Sequence, residues 1–256
     1  MPSRKVAAMS ATRLYVVHAS HPCRAVARAL DLKGIPYKTF EYMPPTHALF
    51  QRLLFGARTV PAIRFANGEK LSGSRAIMRR LDERVPSPAL FPADPAARLK
   101  VVEAERWGDD VLQPIARRVL WPAFSRNPRA MAGYQDGSKL PALPAGVLAV
   151  AAPPVTFVEK KMNAASEEAL RADLQALPSH LDKVDALIAE GVLGGEDPNA
   201  ADLQITSSLR LLLTVADVRP LIDARPAGEL TRRIFPDHPG EVPAGTLPAE
   251  WLPATA

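Results

Sequence analysis

The sequence contains a single cysteine, Cys23, among its 256 residues. One thiol excludes an internal disulfide and is typical of a protein in a reducing compartment, so a cytoplasmic location is predicted. Long apolar runs are also missing. The longest, residues 146–152, is too short to span a bilayer and lies between prolines, so no membrane contact is predicted. Residues 1–12 are interpreted as a loose lead-in without the apolar core of a signal peptide.

Motifs that bind nucleotides, metals or nucleic acids are absent from the sequence. It has no glycine-rich phosphate loop and no His, Cys or carboxylate cluster with metal-ligand spacing. The formal net charge is +5, but the basic residues are scattered among acids, without a basic run or an aromatic stacking pattern. This basic balance is interpreted as a solvated surface, and neither a metal nor a nucleic-acid partner is predicted.

Proline is abundant instead, with 26 residues, and its clusters mark boundaries. Three prolines fall within residues 86–92, where they cannot continue a helix. This places a linker at residues 86–93, between a first domain at 12–85 and an all-helical domain at 94–223. The proline-rich stretch 224–256 is predicted to be a tail wrapped on the surface.

The helical domain begins at a clear start signal. Asp94 is a favourable N-cap with Pro95 at the first helical position, and apolar spacing predicts one long helix to Trp121 with a kink at Pro114. Prolines and glycines interrupt residues 122–157, so this insertion is predicted to hold a short helix among irregular connections. It either covers a pocket as a lid or serves only as packing.

Two further helices are predicted from apolar stripes and capping residues. One covers residues 166–190, with a bend at Pro178. The next begins after Asn199 and runs to about Val218, because Asn199 followed by Asp202 resembles a capping box.

The N-terminal domain carries three motifs in a fixed order. The first is a strand, a tight turn and an amphipathic helix that Gly34 ends. In the turn, Ser20-His21-Pro22-Cys23 stands at a helix N-terminus, where free N–H groups and the helix dipole stabilise an anion such as a thiolate. Ser20 cannot form a disulfide, but its hydroxyl can donate a hydrogen bond to the thiolate of another molecule. The alternative for Ser20 is a plain helix N-cap.

The second and third motifs follow downstream. Val60-Pro61 leads into a strand, and Asn67-Gly68 is a strong hairpin signal between two apolar runs. A short helix is predicted before them at residues 47–55. Gly73-Ser74 then opens a helix that runs to Arg84.

Together, these motifs resemble the N-terminal domain of the glutathione S-transferase superfamily over residues 12–85. The resemblance implies an α/β thioredoxin-like N-terminal domain followed by an all-α C-terminal helical bundle. It also implies a Ser-type enzyme, in which Ser20 lowers the pKa of the glutathione thiol so that the thiolate attacks a small hydrophobic electrophile. Glutathione is then a co-substrate, and the resemblance implies a homodimer.

The resemblance assigns further residues to glutathione. Pro61 matches a cis-proline, and the Val60 backbone is expected to pair with the cysteinyl backbone of glutathione. Ser74 matches a serine that binds the γ-glutamyl carboxylate at a helix start. Gly73 replaces the acidic residue or Gln that accepts a hydrogen bond from the α-amino group, so that acceptor is missing.

Three residues keep alternative interpretations. His21 either donates a hydrogen bond at the glutathione sulfur or is a solvent-facing turn residue. Cys23 either lies near the sulfur as a lone reactive thiol or is a small buried helix residue. Trp107 either faces the cleft between the domains or packs in the core.

Several functions fit this sequence. An enzyme of this family conjugates glutathione, or uses it in isomerisation or dehalogenation. A non-catalytic binding or structural module with the same fold is the alternative, supported by Gly73, by the insertion and by the tail. Glutathione-dependent disulfide reduction is disfavoured, because it needs a cysteine where Ser20 stands.

Overall fold

The computed structural model describes residues 11–253 of the chain. Most of the predicted lead-in at residues 1–12 and the last three residues of the predicted tail lie outside this range.

The N-terminal half is built on a four-stranded mixed sheet with the order β2-β1-β3-β4. β1 (Thr12–Val17) runs parallel to β2 (Tyr37–Tyr42) and antiparallel to β3 (Ala62–Arg64), which pairs with β4 (Lys70–Ser72). A parallel pair needs a crossover, and α1 (His21–Leu32) supplies it. The β1 and β3 register places the cis-proline turn that precedes Ala62 beside the end of β1.

Two more helices complete this domain, α2 (His47–Phe55) and α3 (Ser74–Arg84), and both predicted ranges are confirmed. α1 and α3 contact each other over one face of the sheet. The other face carries an aromatic cluster in which Tyr15 and Tyr42 pack with Phe55 of α2. The fold class predicted for this half, a thioredoxin-like domain, is confirmed.

The C-terminal half is a bundle of helices, as predicted. Its members are α4 (Pro95–Trp107), α5 (Gln113–Arg126), α6 (Ala145–Met162), α7 (Glu167–Ala189), α8 (Ala200–Leu212), α9 (Arg219–Asp223) and α10 (Pro226–Ile234). α8 is buried along most of its length and contacts α1, α4, α5 and α10. One hydrophobic core therefore runs from the sheet into the bundle through α8.

The kink expected at Pro114 takes the form of a π-helical turn, Gly108–Leu112, between α4 and α5. A wider turn at this point accommodates the missing N–H and the ring of a proline inside a helix. A side chain at Gly108 would place its Cβ 2.8 Å from Ile205 Cγ1 of α8, so the close helix contact requires glycine. Helical structure continues to Arg126, five residues beyond the predicted end.

The prediction of mostly irregular structure at residues 122–157 is wrong. The segment enters a 3-10 helix, Pro128–Gln135, and then α6, which has 18 residues and contains Pro153 and Pro154. The buried residues of α6 form one stripe: Leu148, Ala152, Thr156 and Glu159. Burial of this stripe against α5 outweighs the local preference of proline for breaking a helix.

The capping box at the start of α8 is confirmed, with Asn199 and Asp202 exchanging side-chain and backbone hydrogen bonds. α8 ends at Leu212 rather than near Val218, because Val215 turns away to form a β-bridge with Val242. Residues 226–234, expected in the tail, form α10. Beyond it, Val242 and Trp251 are buried in the bundle core rather than lying on the surface.

Candidate functional site

A cavity of about 400 Å³ lies between the end of β1 and helices α5 and α6. Its N-terminal wall is formed by residues 17–22, by His47 of α2 and by Val60. The helical wall is formed mainly by apolar side chains of α5, α6 and the segment between them: Leu120, Trp121, Phe124, Met131, Leu148 and Val155. This size and lining suit a small organic molecule.

Ser20 lines the cavity from the N-cap position of α1. Its side chain accepts no capping hydrogen bond from the helix, so the interpretation as a plain N-cap does not describe its hydroxyl. The hydroxyl instead interacts with the Cys23 thiol and favours its charged form. The free N–H groups of the first α1 turn add positive potential at the same place.

Cys23 is a buried residue of α1, 3% exposed, and packs in the main hydrophobic core. Burial raises the pKa of its thiol to about 12, against the opposing hydrogen bonds from Ser20 and the Val17 backbone. A thiol with this pKa stays protonated near neutral pH and is a weak nucleophile. The structure therefore fits the interpretation of Cys23 as a small buried helix residue.

His21 also lines the cavity, but it does not face solvent, so that alternative is wrong. It is 2% exposed and hydrogen-bonded to the Gln113 backbone, while its Nε2 has no partner among the described residues. Burial, together with the nearby charge of Arg117 and the neighbouring His238, holds the pKa of His21 well below its usual value. His21 is therefore a neutral side chain at the cavity wall.

The Val60–Pro61 peptide bond is cis, as predicted. Val60 lines the cavity, and its peptide groups have no hydrogen-bond partner within residues 11–253. Pro61 lies behind it, and its carbonyl accepts a hydrogen bond of 2.9 Å from the Gly73 N–H. This bond joins the cis-proline turn to the start of α3.

Gly73 and Ser74 form the N-terminus of α3. Gly73 has φ +91°, in the region that favours glycine, so a side chain here would strain the backbone. Gly73 is the N-cap and offers no side chain, which leaves the first N–H groups of α3 uncapped beside the buried Ser74. Within the described residues, Ser74, Gly73, Pro61 and Cys23 do not line the cavity itself.

Sequence reasoning missed several polar residues of the site. On α2, His47 lines the cavity and the fully buried Gln51 lies one turn further along; both carry polar atoms without partners among residues 11–253. Their four-residue spacing on an otherwise apolar helix face is a signal that could have found them. On the helical wall, Arg117 and Glu159 line the cavity, and each carries an unpartnered atom. No local pattern marks these two, because their surroundings come from distant parts of the chain.

The segment that precedes α6 also lines the cavity and is hydrogen-bonded to β2. This position fits the first alternative of the sequence analysis, in which the insertion covers a pocket. Glu41 of β2 accepts hydrogen bonds from the Ser138 hydroxyl at 2.7 Å and from the Lys139 N–H at 2.8 Å. His18 bonds the Asp136 carbonyl at 2.9 Å.

For Trp107, the alternative of packing in the core fits better than that of facing the cleft, because Trp107 packs on α7, next to His180 and Lys183.

No helix between residues 11 and 253 is long and apolar enough to cross a membrane. The same residues contain no group of three or more His, Cys, Asp or Glu side chains arranged to hold a metal ion.

Comparison with known proteins gives a consistent result. Residues 14–89 match the family model of the glutathione S-transferase N-terminal domain. A maleylacetoacetate isomerase from Pseudomonas aeruginosa is 33% identical over 97 residues, which cover 34% of this chain and 44% of that protein. The chain thus matches less than half the length of this curated relative.

Solved structures match over most of the chain. A glutathione S-transferase from Rhodospirillum rubrum aligns with 94% of this chain and 99% of its own, at 19% identity and a TM-score of 0.57. A maleyl pyruvate isomerase, described as a bacterial glutathione S-transferase of the zeta class, aligns with 86% of this chain and 90% of its own, at 21% identity and a TM-score of 0.56. These likenesses show a shared two-domain fold.

Proposed function

We propose that this chain, which belongs to the glutathione S-transferase superfamily, binds glutathione along its N-terminal wall and activates the glutathione thiol through Ser20. The observation that carries the proposal is the grouping of three elements. Ser20 and the unpaired Val60 backbone line one cavity, and a hydrogen bond ties the uncapped start of α3 to the turn that holds Val60.

Each part of glutathione has a matching group on this wall or at the start of α3, which is hydrogen-bonded to it through Pro61. The free N–H and C=O of Val60 can pair with the cysteinyl backbone as one more strand would. The N–H groups at the start of α3, with the Ser74 hydroxyl, suit the γ-glutamyl carboxylate, because a helix N-terminus attracts anions. His47 of α2, which lines the cavity, offers a further polar atom without a partner within residues 11–253.

Ser20 supplies the activation. Its hydroxyl donates a hydrogen bond to the glutathione sulfur, and the N-terminus of α1 favours the negative charge there. The thiolate then forms a C–S bond with an electrophilic carbon and displaces a leaving group with its electron pair. The maleylacetoacetate isomerase relative favours isomerisation as a second candidate, in which the C–S bond breaks again and glutathione is regenerated.

The proposal is tested by measuring the pKa of the thiol of bound glutathione. The ultraviolet absorbance of the thiolate, recorded as a function of pH, gives this pKa. A hydrogen bond to a charged group contributes about 1.5–3 kcal/mol. Ser20→Ala is therefore expected to raise this pKa by about 1–2 units and to lower kcat/KM about tenfold to a hundredfold. Ser20→Thr keeps a hydroxyl and should retain most of the effect. An unchanged thiol pKa in Ser20→Ala would contradict the role of Ser20.

The non-catalytic alternative makes a different prediction for the same experiment. A binding module would take up glutathione without lowering the pKa of its thiol, in the wild type as in the variant. A homodimer and a cytoplasmic location also belong to the proposal, on the basis of the family resemblance and the single buried thiol. Sedimentation of the purified chain tests the dimer.

A further inference from the structure

The helical wall of the cavity contains a charged pair among apolar side chains. Arg117 of α5 and Glu159 of α6 both line the cavity. Glu159 is 4% exposed, and its Oε1 has no hydrogen-bond partner within residues 11–253. The Nε of Arg117 is buried and has none either. The two groups do not form an ion pair with each other, although each alters the titration of the other.

The charged side chains near Arg117 already bind other residues. Arg118, the next residue of α5, holds Asp173 of α7 with two bonds of 2.6 and 2.8 Å. Asp109, the other carboxylate near Arg117, accepts hydrogen bonds from the side chains of Gln113 at 2.7 Å and Gln204 at 3.0 Å. Arg117 therefore has no protein carboxylate within ion-pair distance in the described part of the chain.

Glu159 is only partly satisfied. Asn163, one turn further along α6, donates to its Oε2 at 3.3 Å, and Oε1 remains open. Burial raises the pKa of the Glu159 carboxyl above its ordinary value, although Arg117 and Asn163 oppose the shift. This carboxyl therefore takes up a proton at a pH closer to neutrality than the carboxyl of an exposed glutamate does.

An unpaired guanidinium in an apolar wall costs folding free energy, because burying a charge without a partner removes its hydration. The cost is offset when a ligand supplies the opposite charge. Guanidinium groups present two parallel N–H donors that match the two oxygens of a carboxylate. The remaining wall is mainly apolar and the cavity holds about 400 Å³, which suits a carboxylate on a small apolar body.

We propose that Arg117 anchors a carboxylate group of the second substrate beside Glu159, so that the enzyme selects acidic electrophiles. This inference rests on the proposed function for its reaction, but the anchor itself is a binding site that works without glutathione. The guanidinium and the bound carboxylate carry no net charge together, which suits a poorly hydrated wall. Arg117 is thus a specificity-determining residue on the wall opposite Ser20.

The experiment compares three small ligands that differ only in one group: a chloronitrobenzoate, its methyl ester and its amide. Their dissociation constants are measured by titration calorimetry on the full chain in the absence of glutathione. The wild type is expected to bind the carboxylate at least tenfold more tightly than the ester or the amide (about 1.4 kcal/mol). Arg117→Met should abolish this preference, and Glu159→Gln, which keeps the size of the side chain and removes the ionisable carboxyl beside the anion, should retain or increase it.

Arg118→Met is the matched control, since Arg118 lies on the same helix and binds Asp173 outside the cavity. It should leave the carboxylate preference unchanged. If Arg117→Met does not fold, Arg117→Lys keeps the charge without the paired donors and should reduce the preference. Equal affinity for acid and ester in the wild type would overturn the proposal, as would a preference for the amide or a preference that survives in the folded Arg117 variant. Because glutathione is absent, a failure of the glutathione site does not affect these outcomes.

Discussion

The two walls of the cavity differ in what they present to a ligand. The N-terminal wall offers backbone: the unpaired Val60 peptide and the start of α1, with the start of α3 hydrogen-bonded to the turn behind Val60. The helical wall offers side chains, most of them apolar, with Arg117 and Glu159 among them. A wall made of backbone keeps its chemistry when side chains change, and therefore suits a constant co-substrate. A wall made of side chains changes with every substitution, and therefore suits the partner that determines specificity.

The largest expected effect comes from breaking the support of the helical wall. Asp202 is fully buried and accepts hydrogen bonds from the N–H groups of Asn199 at 3.0 Å and Gly194 at 2.8 Å. Asp202→Ala leaves both donors unpaired at the start of the central helix α8. We expect the free energy of unfolding to fall by about 3 kcal/mol, measured by urea denaturation.

Asp94→Ala is the control for this prediction, because Asp94 is an exposed N-cap that accepts only one bond, from Ala97. It should cost about 1 kcal/mol. Equal costs for the two variants would show that burial of the α8 start contributes little to the bundle.

A smaller effect on stability is expected when a side chain is added at Gly73, at the start of α3. Gly73→Gln supplies an acceptor for the α-amino group of glutathione at a φ of +91°. Backbone strain there should lower the free energy of unfolding by about 1–3 kcal/mol. The new hydrogen bond should tighten glutathione binding about tenfold. Gly73→Ala carries the same strain without the acceptor, so its unfolding cost should be similar and its glutathione affinity should not rise.

The smallest expected effect is on the pH dependence of the free energy of unfolding, through His21, which lies where the two walls meet. Its pKa in the folded protein lies well below the ordinary value, mainly because of burial. As the pH falls through about 6.5 the unfolded chain binds a proton and the folded chain does not, so stability is lost on acidification. His21→Asn keeps a donor for the Gln113 carbonyl and should reduce the fall in unfolding free energy between about pH 7 and pH 5.

Part of the fall should remain in this variant, because burial also lowers the pKa of His238, to about 4. An identical pH dependence in wild type and variant, measured by chemical denaturation at both pH values, would show that His21 does not contribute.

The N-terminal wall could be predicted from the sequence because its features are local. A serine at a helix start, a Val-Pro before a strand and an Asn-Gly hairpin each specify backbone geometry within a few residues. The bounds of α3 followed from such signals, whereas the cis bond at Pro61 followed from the resemblance to the glutathione S-transferase family. The roles of these residues toward glutathione remain predictions, since they depend on a ligand.

The helical wall could not be predicted, because it depends on contacts between distant segments. His21 is buried by residues from α5 and from the far end of the chain. α6 contains two prolines, and its packing on α5 and on the 3-10 helix Pro128–Gln135 explains why it stays helical. Arg117 and Glu159 are ordinary charged residues in the sequence, and they gain meaning only where two helices enclose them in one cavity.

The most direct test of the account is a calorimetric titration of glutathione into the wild type and into Ser74→Ala, with thermal unfolding to confirm that both are folded. The account predicts a dissociation constant in the micromolar to millimolar range for the wild type (about −8 to −4 kcal/mol). It also predicts a loss of at least tenfold in Ser74→Ala. No heat and no thermal shift in the folded wild type at high glutathione would contradict the claim that the N-terminal wall is a glutathione site.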